Sequence, residues 1–194
     1  MNFLAHFVLS YPDPELMAGN FIADFLNKKE QDSLDICLYK GVEMHQWIDQ
    51  YTDSHPNISS FNRFFNPVIG HYAPVASDIS MDYFLYKNWN KYIDVSYLEF
   101  SKLAYDALRI HDYLFPEKPR NTAHRMIEGD WLRQYTSLEG MKYVMYRMNQ
   151  RAKYKVDFTL TIPIIEVEEE KMNSLFIEFF EQAQIAAKEW KLVN

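Results

Sequence analysis

Gly41 to Pro56 reads GVEMHQWIDQYTDSHP and gathers two histidines and two aspartates into one short stretch. His45, Asp49 and Asp53 recur every four residues. At 3.6 residues per turn a helix rotates each only about 40° from the one before. All three therefore share one side, with Trp47, Ile48 and Tyr51 interleaved. One imidazole and two carboxylates on a single stripe are a donor set that suits a divalent metal. The same spacing also admits a structural reading, with Asp49 and Asp53 in solvent and His45 as a hydrogen-bonded core histidine.

Similar polar residues stand in apolar surroundings elsewhere in the first half. His6 lies in NFLAHF, where a lone histidine is more often packed than ligating. Asp24 lies in GNFIADFL, flanked by Ile22, Ala23 and Phe25. An unpartnered buried carboxylate is costly, so Asp24 calls for a cation, a metal or a cap. Asp78 and Asp82 form a second acidic pair four apart, among Ile79, Met81, Phe84 and Leu85. Like charges at that spacing repel slightly, and a shared metal would remove the cost. Other chemistries lack their motifs: there is no phosphate-binding glycine loop and no GxSxG elbow. Cys37 has no neighbouring motif, and the His111-Asp112 dipeptide lacks supporting acidic spacing.

The elements that position these residues read as helices. Leu16–Phe25 is expected as a short helix, with Asn20 capping its second part. Ser33–Tyr51 carries apolar residues on one helical face. Pro56 closes a turn and pushes His55 out of helical geometry. Ser59–Phe65 is a further helix stopped by Pro67, and Ser77–Asn90 starts on a serine cap. Tyr97–Leu114 is amphipathic, Gly129–Tyr154 has helical spacing, and Met172–Trp190 closes the chain. Thr159–Pro163, rich in β-branched residues, is expected as a strand or extended linker.

With 194 residues, 48% of them hydrophobic and 16% aromatic, the chain can bury a core as one domain over 1–194. Five glycines argue against a fold of many tight hairpins, and one cysteine fits a reducing, cytoplasmic setting. The opening segment lacks the basic start of a signal peptide, and no apolar run is long enough for a membrane span. Neither a membrane span nor a nucleic-acid partner is expected. Charge is uneven within the net −7. Residues 118–155 carry nine Lys and Arg against three Asp and Glu, while the segments on both sides are acidic. The block either docks an acidic partner or pairs with the acidic remainder.

The blocks MNFLAHFVLS, GNFIADFL, GVEMHQWIDQYTDSHP and SDISMDYFLYKNW, in this order and spacing, resemble the acyl carrier protein phosphodiesterases. The likeness covers roughly the first half of the chain. It implies an all-α, single-domain helical bundle resembling the His-Asp metal phosphohydrolases. It also implies a Mn²⁺-dependent reaction, with Mg²⁺ or Fe²⁺ as other cations, that removes 4′-phosphopantetheine from holo acyl carrier protein. On this resemblance the family's N-terminal histidine block falls on His6, and its GN-x-x-x-D block on Asn20 and Asp24. The H-x-x-x-D-x-x-x-D block falls on His45, Asp49 and Asp53, and D-x-x-x-D on Asp78 and Asp82. Two positions depart from the family pattern: Gln46 where many members have Arg, and Tyr83 where many have His.

The expected metal ligands are thus His6, Asp24, His45, Asp49 and Asp82. Asp53 or Asp78 is expected to orient the attacking water or act as base. His55 is expected as the acid for the departing serine oxygen. In GMKYVMYRMNQRAKYK, Arg147, Arg151 and Lys155 recur every four residues and are expected to form a cationic stripe that docks the acidic carrier protein. Two rival readings use the same residues: a metal phosphohydrolase of a small phosphodiester or nucleotide, and a non-catalytic helical protein that binds carrier protein.

Overall fold

A computed structural model describes residues 1–194 as eleven α-helices joined by short turns and 3₁₀ segments, with no strand. The helices are α1 (Phe3–Ser10), α2 (Pro14–Ala23), α3 (Lys28–Asp32), α4 (Ile36–Ser54), α5 (Pro56–Ile69) and α6 (Ala73–Lys87). They continue as α7 (Trp89–Tyr92), α8 (Tyr97–His111), α9 (Glu117–Glu128), α10 (Leu138–Asn149) and α11 (Ile162–Val193). Their starts follow local chemistry. Asp13 accepts from the Glu15 and Leu16 amides, and Pro14 fills the first position, where its missing N–H costs nothing. Asp35 caps α4 through the Cys37 amide, and Ser96 caps α8 through Glu99. No helix is long and apolar enough to cross a membrane.

The all-α expectation holds, with several boundaries corrected. α2 runs unbroken through Asn20, which is buried inside it and caps nothing. Pro56 does not end a turn. It opens α5, with His55 as the cap that accepts from the Asn57 amide. Pro67 lies within α5 rather than stopping it. Ser77 is a buried residue inside α6, which begins four residues earlier. Residues 117–128 form α9, a helix for which no expectation was given, starting directly after Pro116. Thr159–Pro163 is neither strand nor extended. It is a 3₁₀ turn, Phe158–Thr161, running directly into α11. There Asp157 caps the turn through the Thr159 amide, and Pro163 sits in the first turn of α11, so local capping outweighs the β-branched side chains.

One continuous apolar core joins Leu4, Phe7, Met17, Ile22, Phe61, Phe84, Phe100, Phe176 and Phe180 from helices along the whole chain. At α2 and α4 the backbones meet through Gly19 and Gly41. A Cβ on Gly41 would lie 2.6 Å from Gly19 Cα and 2.7 Å from the Asn20 nitrogen. Only glycine allows this approach. It sets Asn20 of α2, and Asp24 at its C-terminal cap, beside His45, one helical turn along α4 from Gly41.

Candidate functional site

His6 of α1 and His45 of α4 are both buried, and their rings stack with centroids 4.4 Å apart. Asn20 Oδ1 lies 2.7 Å from His6 Nδ1 and 2.9 Å from His45 Nδ1. The two Nε2 atoms point the other way, to carboxylates. His45 Nε2 is 3.1 Å from Asp49 and 3.4 Å from Asp24. His6 Nε2 is 3.3 Å from Asp49 but misaligned, so it makes no hydrogen bond and is left as a buried unpartnered atom. Helix α4 supplies His45 and Asp49 at the expected i,i+4 spacing. α1 and α2 bring His6, Asn20 and Asp24 against them.

Charge follows the geometry. Burial alone would push His45 down, but its contacts with Asp24 and Asp49 overcome this and hold it up at about 9. Burial wins at His6, whose pKa is lowered. At Asp24 and Asp49 burial works upward, and the imidazoles outweigh it, drawing both carboxyls below their ordinary value.

Asp78 and Asp82, four apart on α6, have different surroundings. Asp78 lies 3.2 Å from the Met1 amino group, yet its burial prevails and raises its pKa. Asp82 is fully buried, and its two oxygens accept from the Leu4 and Ala5 amides at 2.9 and 3.0 Å. It therefore caps the N-terminus of α1 from another helix, and burial pushes it up to about 7. Asp82, expected among the metal ligands, is thus placed under the start of α1 and does not line the cavity over this corner.

A cavity of about 940 Å³ opens over this corner, lined by Asp24, His45, Asp49, Asp53 and Asp78. Its other side carries Arg125 of α9, Arg147 of α10 and Arg151 just beyond α10. Val75, Ile79, Val144 and Met148 give it apolar wall. None of the nine Lys and Arg in 118–155 forms an ion pair with a carboxylate; the ion pairs of the protein lie elsewhere. The basic block is thus not neutralised by the acidic remainder. The stripe itself is corrected: α10 ends at Asn149, so Arg151 and Lys155 lie past the helix. Lys155 lines a separate hollow with His71 and Tyr72. Arg125 was not singled out from sequence, because α9 was not.

No group of three or more His, Cys, Asp or Glu side chains is arranged, as it stands, to hold a metal ion. The donors nonetheless fit one in type. Their N···O separations of 3.1–3.4 Å approach the edge of about 3 Å between neighbouring ligands bonded at about 2.1 Å. Asp24 and Asp49 are about half exposed and keep room to turn, and His6 Nε2 has no competing hydrogen bond.

The family model described as acyl carrier protein phosphodiesterase matches residues 1–183. The chain belongs to the acyl carrier protein phosphodiesterase family. Curated relatives of that name include a protein of Photorhabdus laumondii, 28% identical over 181 residues, covering 93% of this chain and 91% of the relative. One from Yersinia enterocolitica is 28% identical over 181 residues, covering 93% and 94%. One from Pectobacterium atrosepticum is 25% identical over 193 residues, covering 99% and 100%. No solved structure matches the chain.

Within this phosphodiesterase family member, the cavity gathers Asp24, His45, Asp49, Asp53 and Asp78, and His6 lies directly behind His45. It does not gather His55. That residue is buried at the α4–α5 junction, with Nε2 3.4 Å from Gln182 and its ring against Phe179. His55, expected as the leaving-group acid, therefore stands outside this cavity, where its side chain caps α5. Gln46 is exposed beside the corner. Tyr83 is buried and donates to Glu169 at 2.8 Å, away from the cavity. Asn20 stood out in the sequence as a helix cap and within the GN-x-x-x-D block, but nothing there showed that its partners are the two imidazoles.

Proposed function

We propose that the protein hydrolyses the phosphodiester joining 4′-phosphopantetheine to the serine of holo acyl carrier protein, giving the apo carrier, with Mn²⁺ as cofactor and Mg²⁺ or Fe²⁺ as alternatives. The observation that carries this reading is the single cavity with imidazole–carboxylate donors on one wall and unpaired arginines on the other. Family membership supplies the substrate, since its named members act on acyl carrier protein.

His6, His45, Asp24 and Asp49 would hold the cation, which when bound neutralises a phosphate oxygen and lowers the pKa of water. Asp78, its pKa raised by burial, takes the proton from the attacking water, with Asp53 beside it to orient that water. The water oxygen bonds to phosphorus, the bond from phosphorus to the serine oxygen breaks, and the proton returns to that oxygen. Arg125, Arg147 and Arg151 counter the charge of the diester and meet the acidic carrier. Val75, Ile79, Val144 and Met148 offer apolar surface to the pantetheine arm. Asp82 serves indirectly, by fixing α1 and so His6.

The test is the carrier's mass after incubation with Mn²⁺, with a chelator control. Loss of the phosphopantetheine mass, abolished by chelator and by Asp24→Ala, is the expected result. An unchanged carrier mass with folded protein would sink the proposal, and small phosphodiesters would then be tried at the same site.

A further inference from the structure

Asn20 is buried in the middle of α2, where an amide must find partners. Its orientation follows from its neighbours. Ser10 Oγ donates to the His6 carbonyl at 2.9 Å, so the Asn20 atom 2.8 Å from Ser10 Oγ is the donor Nδ2. The same Nδ2 lies 3.4 Å from the His6 carbonyl. Oδ1 is thereby turned to the two histidines and accepts from both Nδ1 atoms, 2.7 and 2.9 Å away. An acceptor at Nδ1 requires the proton to be there.

A neutral imidazole carries one ring proton. At His6 two acceptors compete for it. Asn20 Oδ1 stands at hydrogen-bonding distance from Nδ1, whereas Asp49, 3.3 Å from Nε2, is misaligned. The well-aligned acceptor wins, and Nε2 keeps its lone pair.

We infer that Asn20 is the positioning residue that, through one shared carbonyl oxygen, fixes neutral His6 as its Nδ1–H tautomer and keeps a proton on Nδ1 of His45, so that Nε2 is the nitrogen from which His45 gives up its second proton. The consequence for chemistry rests on the proposed function, in which Nε2 of His6, and Nε2 of His45 once a cation displaces its proton, are the working donors. The tautomer assignment itself does not depend on turnover.

The test is long-range ¹H–¹⁵N NMR of protein carrying ¹⁵N-histidine. Nδ1 is expected protonated in His6 and His45. In Asn20→Leu the Nδ1–H to Nε2–H ratio of His6 should fall about tenfold, as the proton passes to the side facing Asp49. Asn20→Asp, which keeps an acceptor oxygen, should restore Nδ1–H. If the leucine variant does not fold, Asn20→Ser replaces it, since its short hydroxyl cannot span both rings. An unprotonated Nδ1 at either histidine of the unaltered protein overturns the inference, as does an unchanged ratio in a folded variant. Carrier turnover is read separately, so a failed phosphodiesterase reading leaves this result standing.

Discussion

On one side of the cavity, His6, Asn20 and His45 are buried and held in a single hydrogen-bond pattern, on helices whose glycines touch. On the other, Arg125, Arg147 and Arg151 are exposed and unpaired with any carboxylate, and Arg147 reaches only Tyr143 of its own helix at 3.1 Å. The first wall has been preorganised during folding, so its geometry costs nothing further when substrate arrives. The second keeps its side-chain freedom and its hydration. It gains by neutralising a charged partner, and salt should weaken that gain. The two walls should therefore fail differently when altered.

Asp49→Ala should give the largest effect, because that carboxylate faces both imidazoles. Turnover of holo carrier should drop about 10³-fold with the helical circular dichroism unchanged. A drop under tenfold would show that the buried wall is scaffold rather than machinery.

Next comes Gly41→Ala. The added carbon meets backbone, Gly19 Cα at 2.6 Å and Leu16 O at 2.7 Å, which cannot swing aside as a side chain would. Forcing α2 from α4 should cost about 2 kcal/mol, or roughly 4–8 °C in Tm. It should also lower turnover, because Asn20 and His45 move apart. Thermal unfolding and kcat measured on the same sample check both parts.

How much of this was legible in the sequence depended on distance along the chain. His45 and Asp49 were readable because both lie on one helix, and the helix period sets their spacing. Asp24 was readable because a carboxylate among Ile22, Ala23 and Phe25 needs a partner, though not which partner. Asp82 posed the same question, and its hydrogen-bond partners could not be read: they are the amides of Leu4 and Ala5, nearly eighty residues away, and periodicity carries no information about them. Asn20 looked like a cap because asparagine favours helix ends. Its partners at 6 and 45 become neighbours only once the two glycines bring α2 onto α4. On the arginine wall, Arg147 was visible by spacing, but the break after Asn149 was not.

The buried wall also makes a pH prediction. With chelator present, His45 titrates near 9 when folded against an ordinary 6.5. Its contribution to stability is full below 6.5 and is lost as pH rises through 9. Asp24 and Asp49, drawn below their ordinary value, contribute above it and lose that contribution as pH falls. Tm should thus decline at both ends, and Mn²⁺ in place of chelator should blunt the alkaline decline by binding the neutral imidazole. A Tm that is flat from pH 7 to 10 in chelator would refute the ion pairing.

On the arginine wall, reversing Arg147 and Arg151 together should raise the apparent KM for carrier protein about tenfold, leave kcat nearly unchanged and flatten the salt dependence. Metal affinity should not move. A fall in kcat with KM unchanged would mean the arginines act on the reacting phosphate rather than on the carrier.

Lys155→Glu separates the cavity from the basic block as a whole. The charge change equals that of a single arginine reversal, but Lys155 lines the other hollow, beside Val68, Ile69, His71 and Asp157. If docking is set by the residues at the cavity mouth, KM should change less than about twofold, because Lys155 lines the other hollow and salt screens an exposed charge that makes no direct contact. If the block acts instead as one diffuse positive field, Lys155→Glu should match Arg151→Glu, and the gap between them should close further at low ionic strength. Comparing the two single variants at two salt concentrations therefore decides whether the second wall is a set of placed side chains or only a sum of charge.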